Sequence, residues 1–185
     1  MFPALAILWL AWSLSAVTGN EQLGTGTYLG DLIKQGVTPA LMPTVVFVLA
    51  GFVAFSTGTS WGTMLILTPL SIEVTYRMLA AGQSPVEPMN TLMLATVGSV
   101  LAGAVFGDHC SPISDTTVLS SQASGCDHVA HVWTQMPYAL LCGGVAILCG
   151  TLPVGMGVSV WLLLPLGVIV LLAFLFFFGN RIEDS

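Results

Sequence analysis

Apolar runs long enough to cross a lipid bilayer dominate the chain and alternate with short polar connections. A spanning α-helix needs about 20 predominantly apolar residues, and runs approaching or exceeding that length predict four or five membrane-embedded helices. We therefore expect an all-α, polytopic helical bundle that forms a single transmembrane domain over residues 1–185. The runs cover residues 3–18, 42–76, 89–106, 134–152 and 157–178.

The second apolar run, residues 42–76, is too long for one straight crossing. As a single helix it would extend about 50 Å, against a bilayer core of about 30 Å. The sequence FSTGTSWGT supplies a break near residues 57–62, because Gly58 can cap one half-helix and Thr59 or Ser60 can start another. The two halves form either a re-entrant hairpin or a discontinuous span. Such a break lines a cavity or, in the alternative, only lets helices pack closely.

A second break follows the run at 89–106. We expect the helix to end there and residues 107–114 to be non-helical, because Pro112 lacks a backbone donor and disfavours helix before it. Pro112 should thereby free the carbonyl of Asp108. Ser114 is a natural N-cap for a short helix that follows.

Asp108 and Asp115 give this second break its chemistry. The motif GDHCSPISDTT contains no lysine or arginine, so buried carboxylates need a proton or a metal cation to neutralise them. Carboxylates, hydroxyls and helix C-terminal carbonyls suit a hard cation, and acids inside a membrane usually mark ion or proton pathways. Asp115 could instead only cap a helix. The hydroxyl ligands predicted beside the two acids are Ser111, Ser114, Thr116, Thr57, Thr59 and Ser60.

Composition and charge restrict the partners. Hydrophobic residues form 55% of the 185 residues, charged residues form 6%, and the mean hydropathy is +0.92. Nine acidic residues against three basic ones leave no basic surface for nucleic acid. We expect a multi-pass protein of the cell membrane, surrounded by the lipid bilayer, with no cofactor.

Histidines and cysteines give weaker signals. His109 lies within the second break and is a candidate pH-sensing residue, or a buried histidine bonded to a carbonyl. We expect His128 and His131 in a surface loop ahead of the helix at 134–152. No zinc site is expected, because the cysteines lack the paired C-x2-C spacing; the candidate ligands would be His109, Cys110, Cys126, His128 and His131.

Two long segments resemble the NhaC family of sodium/proton antiporters. They are FSTGTSWGTMLILTPL, from Phe55 to Leu70, and FGDHCSPISDTTVLSSQASGCDHVAHVWTQMPYAL, from Phe106 to Leu140. The early segment AWSLSAVTGNEQLGTGTYLGDLI fits more loosely, so the resemblance extends to about Leu152. It implies secondary transport of sodium in exchange for protons, and some members also exchange organic acids or other solutes.

Members of the NhaC family are much longer, and this chain resembles their C-terminal portion. The resemblance therefore implies a missing N-terminal half or a partner subunit, because many secondary transporters build one site between two inverted repeats. The first hypothesis is sodium/proton antiport, in which the two ions compete for the aspartates. The alternatives are cation-coupled exchange of a small organic acid or amino acid, and a non-transporting fragment or subunit of a split transporter.

Overall fold

The computed structural model is a bundle of α-helices. It describes residues 38–80 and 90–179, together with Trp9, Ser13, Val17 and Glu87. Most of the predicted first run, residues 3–18, therefore lies outside the described residues. Those ranges contain a 3-10 turn at Pro39–Leu41, a π-helical turn at Ile147–Thr151, and the helices α1 (Met42–Thr57), α2 (Ser60–Ala80), α3 (Thr91–Cys110), α4 (Asp115–Ala123), α5 (His128–Ala146), α6 (Leu152–Gly155) and α7 (Val160–Phe178).

Four helical segments within the described ranges are long and apolar enough to cross a membrane. They are Pro39–Thr57, Thr91–Cys110, His128–Gly155 and Val160–Phe178. The described residues contain no strand. The predicted class, an all-α membrane bundle, is therefore confirmed.

Helices α1 and α2 form a hairpin. Gly58 ends α1 in the left-handed region, with φ of 68°, and its N–H donates to the carbonyl of Ala54 at 2.8 Å. Helix α2 then contacts the turn at Pro39–Leu41, which lies at the opposite end of α1. Because the 16 residues of α1 extend about 24 Å, a helix continuing in line with α1 could not reach that turn. The break at Gly58 and Thr59 lies within the predicted 57–62.

Helices α1 and α3 lie parallel along a glycine-bearing face. A Cβ added to Gly103 would lie 2.3 Å from the carbonyl oxygen of Phe47, and one added to Gly107 would lie 2.0 Å from that of Gly51. From the first contact to the second, the position advances by four residues along each helix, so the two helices run in the same direction. Helix α5 runs the opposite way, because Gln135 bonds His109 whereas Gly143, further along α5, packs on Phe106, which comes earlier in α3.

The apolar core lies between the first three described helices, α1 to α3. Small side chains on α1 and α3 let the helix backbones approach each other, and larger side chains on α2 cover the pair. This packing fixes the end of α3 beside the tip of the α1–α2 hairpin. The buried cluster comprises Met42, Val46, Ala50, Ala54, Leu67, Val74, Met78, Val100 and Ala104.

Two predicted boundaries are wrong. Helix α3 continues through residues 107–110 to Cys110, because Pro112 restricts the backbone of Ser111 and not the turn before it. Helix α5 begins at His128 instead of near residue 134, since the carboxylate of Asp127 accepts from the N–H of Ala130 at 2.9 Å and caps it. His128 and His131 are therefore helical residues.

Candidate functional site

The break between α3 and α4 lies directly against the hairpin tip. Ser111 and Ser114 both have extended backbone conformations and fully buried side chains, with an exposed fraction of 0%. The hydroxyl of Ser111 donates to the carbonyl of Phe55, near the end of α1, at 2.7 Å. A Cβ on Gly58 would lie only 2.8 Å from the carbonyl oxygen of Ile113. The two sequence breaks therefore meet.

This arrangement brings four helix ends to one place. Helices α1 and α3 end there, and helices α2 and α4 begin there. Carbonyl groups at the two C-terminal ends carry partial negative charge, which favours a cation, whereas the two N-terminal ends favour an anion. Both kinds of charge can thus be stabilised within one small region.

Asp108 is the buried acid of the site. It lies in the last turn of α3 with an exposed fraction of 6%. Its Oδ2 accepts from the hydroxyl of Thr116 at 2.9 Å, whereas the buried Oδ1 has no hydrogen-bond partner among the described residues. A buried polar atom without a partner is uncommon and costly. Asp108 Oδ1 is therefore the atom of this site that most needs a proton or a cation.

A short hydroxyl chain holds the other carboxylate oxygen. The hydroxyl of Thr116 has one proton, which it donates to Asp108, so the contact of 2.6 Å between Thr116 and Ser114 requires Ser114 to donate. Ser114 occupies the N-cap position of α4, but its side chain makes no capping hydrogen bond. Its hydroxyl donates instead to Thr116, which in turn donates to the carboxylate of Asp108.

The predicted role of the Asp108 carbonyl is wrong. This carbonyl oxygen is not free, because it accepts from the N–H of Ser111 at 3.1 Å. Pro112 removes only its own donor, and the preceding residue still closes a tight turn onto α3. The free acceptor of Asp108 is a side-chain oxygen.

The other predicted site residues are divided between the break and the surface of this chain. Asp115 is exposed in the first turn of α4, and Thr116 is also exposed although it bonds Asp108. Thr57 is exposed, and its hydroxyl donates to its own helix at the carbonyl of Val53. The structure thus brings Asp108 and Thr116 together and leaves Asp115 and Thr57 outside the hydrogen-bonded cluster.

Thr59 and Ser60 are half-buried at the hairpin tip. The hydroxyl oxygen of Thr59 accepts from the N–H of Gly62 at 3.4 Å and so caps α2. His109 is exposed on α3, and its carbonyl oxygen accepts from the side chain of Gln135 at 2.9 Å. These contacts give Thr59 a structural role in the tip and attach α5 to the end of α3.

No lysine or arginine side chain of the described ranges neutralises Asp108. Arg77 is the only lysine or arginine in residues 38–80 and 90–179, and its guanidinium pairs with Glu73 on α2. Within those ranges, histidine, cysteine, aspartate and glutamate side chains also form no group of three that could hold a metal ion. The cluster around Asp108 is an oxygen site.

Sequence reasoning missed the close contact between α1 and α3. The spacing of Gly103 and Gly107 is the G-x3-G pattern that allows close helix approach in membranes, and it was available in the sequence. The carbonyl of Phe55 had no such signal, because any residue at that position supplies the same atom. It becomes part of the site only through packing.

Replacing Gly58 with alanine should disrupt the hairpin tip. The new Cβ would combine a left-handed backbone, with φ of 68°, and a contact of 2.8 Å to the carbonyl oxygen of Ile113. Gly125→Ala is the matched control, because Gly125 has φ of 65° with no atom within 4 Å of the added Cβ. We expect a loss of about 1 kcal/mol for Gly125→Ala from backbone strain, and about 2 kcal/mol more for Gly58→Ala. Equal losses in detergent unfolding would contradict the contact.

Buried acids at broken helices in a membrane bundle are typical of ion-coupled transporters. The profile of the Na+/H+ antiporter family matches residues 1–154. The chain belongs to the Na+/H+ antiporter family, which comprises membrane transporters and not enzymes.

Three curated relatives are similar over part of their length. An uncharacterized protein of Haemophilus influenzae is 45% identical over 75% of this chain and 24% of its own length. An uncharacterized Na+/H+ antiporter of the same organism is 34% identical over 68% of this chain and 28% of its own. The malate-2H+/Na+-lactate antiporter of Bacillus subtilis is 32% identical over 60% of this chain and 24% of its own length.

The chain spans about a quarter of the length of the curated relatives that it matches. No solved structure matches it significantly.

Proposed function

We propose that this chain forms part of a sodium/proton antiporter of the NhaC type, a multi-pass protein of the cell membrane. In this proposal Asp108 is the group for which sodium ions and protons compete. The observation that carries the proposal is the buried, unpaired Oδ1 of Asp108 beside two helix C-terminal ends. Membership in the antiporter family supports the same conclusion.

Competition at one carboxylate couples the two ions. A sodium ion at Oδ1 requires the ionised carboxylate, whereas protonation removes the charge that attracts sodium. Each ion can therefore stabilise its own form of Asp108, and exchange occurs if both forms can open to either side of the membrane. Ser111 and Ser114 supply buried hydroxyl oxygens within the same break, and Ser114 is joined to the carboxylate through Thr116.

The remaining ligands of the ion come, in this proposal, from a companion part of the transporter. Hard cations such as calcium take six to eight oxygen ligands, and the buried cluster in this chain offers fewer. Asp115 and Thr57, which are exposed here, would then face the companion part. The relatives, about four times longer than the matched segment, leave room for such a second broken-helix unit.

Sodium-driven proton flux tests the proposed exchange. The protein expressed from its own gene is reconstituted in liposomes that contain a pH-sensitive dye, and sodium chloride is added outside. We expect proton movement that depends on sodium, persists when the membrane potential is clamped, and is absent from protein-free liposomes. Reconstituted protein that produces no sodium-dependent proton movement would contradict antiport.

The second candidate function is cation-coupled exchange of a small carboxylate. The similarity to a malate-2H+/Na+-lactate antiporter favours it, and the helix N-terminal ends at the site suit an anionic substrate. In the same liposomes, flux that requires an added dicarboxylate or lactate would select this function. Protein that supports neither flux would fit the remaining hypothesis, a subunit or fragment that does not transport.

A further inference from the structure

The ring of His128 connects the α3–α4 break to α4. Its Nε2 lies 2.7 Å from the carbonyl oxygen of Pro112, inside the break, and its Nδ1 lies 3.1 Å from the hydroxyl of Ser121 on α4. His128 itself is the first residue of α5. One half-buried side chain therefore joins the break and two helices.

The contact with Pro112 determines the role of one ring nitrogen. A carbonyl oxygen only accepts, so Nε2 must carry a proton to bond Pro112. The hydroxyl of Ser121 also lies 2.8 Å from the carbonyl oxygen of Val118, and a hydroxyl can either donate to Nδ1 or accept from it. The ring therefore donates from Nε2 to Pro112 whichever role Nδ1 takes.

We propose that His128 is a positioning residue for the cation site and holds the break in place through its Nε2–H donor. Pro112 directly follows Ser111, whose hydroxyl bonds the hairpin tip. Fixing the Pro112 carbonyl therefore fixes the backbone that presents Ser111. Removing the Nε2–H donor frees the Pro112 carbonyl and loosens the break.

Other titratable groups lie on the elements around His128. Asp127 precedes it and caps α5, Cys126 lies in the preceding turn, and Asp115 begins α4. His131 lies one turn further along α5, with Nε2 at 3.3 Å from the hydroxyl of Ser120. His131 makes no hydrogen bond to the break, which makes it the matched control.

The transport test rests on the proposed function and compares variants with the wild-type protein, expressed from its own gene, at one pH. We expect His128→Ala to lower kcat/KM for sodium about tenfold, because both ring contacts are lost. His128→Gln keeps a side-chain N–H that can donate to Pro112, so it should restore most of the wild-type kcat/KM. His131→Gln should give a ratio to wild type near one.

A His128→Gln variant as impaired as His128→Ala, or a His128→Ala variant with wild-type kcat/KM, would overturn the proposal. Nitrogen NMR of the histidine rings, in the same protein in lipid nanodiscs, tests the network without any transport. The His128 signal, assigned by its absence from His128→Gln, should show a protonated Nε2. A ring without a proton on Nε2 would overturn the contact with Pro112, whereas absent sodium flux with a protonated Nε2 would contradict only the proposed antiport.

Discussion

Asp108→Asn should reduce sodium-driven proton flux by about 100-fold or more, which corresponds to at least ~2.7 kcal/mol. Asparagine keeps the size of the side chain and an oxygen for the hydroxyl of Thr116. It removes the negative charge that attracts sodium and the group that exchanges a proton. The measurement is the initial rate of sodium-dependent proton movement in liposomes, normalised to the amount of folded protein.

Asp127→Asn is the matched control for this charge removal. Asp127 caps α5 outside the break, and asparagine is an equally good N-cap, so flux should stay at the wild-type level. Asp115→Asn is measured beside it, because Asp115 is exposed in this chain. Full flux in Asp108→Asn together with lost flux in Asp115→Asn would reverse the assignment of the two acids.

Gly107→Ala should prevent α1 and α3 from packing, and we expect a loss of about 3 kcal/mol or failure to fold. The added Cβ would lie 2.0 Å from the carbonyl oxygen of Gly51. Because that atom is backbone, the clash can be relieved only by moving one helix away from the other. The measurement is the free energy of unfolding in mixed detergent micelles, followed by circular dichroism.

Gly98→Ala on the same helix provides the control. A Cβ at Gly98 meets no atom within 4 Å, and alanine favours helix over glycine by roughly 0.5–1 kcal/mol. The two substitutions should therefore change stability in opposite directions. A Gly107→Ala protein as stable as Gly98→Ala would show that α1 and α3 are not in close contact.

Each of the two breaks has a local cause that is visible in the sequence. Gly58 can adopt a left-handed conformation that other residues rarely reach, and Pro112 forces Ser111 into an extended conformation. Both effects act within one or two residues and need no tertiary contact. The boundaries of α3 and α5 were predicted less well, because no local signal opposed the helix through Cys110 or delayed α5 beyond His128.

The candidate site was predictable in its chemistry but not in its geometry. Two acids without a basic neighbour indicated a cation or proton site, and that remains the proposal. The sequence did not distinguish Asp108 from Asp115, because both lie in the same motif. Only packing buries the first, with an exposed fraction of 6%, and leaves the second exposed.

The sequence by itself determined the membrane class, the residues that interrupt the helices and the residue types that can attract a cation. These features follow from hydrophobicity, backbone conformation and charge, which are properties of short segments. The tertiary structure decided that α1 and α2 form a hairpin and that its tip lies on the second break. It also decided that the free acceptor of Asp108 is Oδ1. The hydroxyl of Thr116 bonds Oδ2 and the N–H of Ser111 bonds the backbone carbonyl oxygen, whereas Oδ1 is buried without a partner among the described residues.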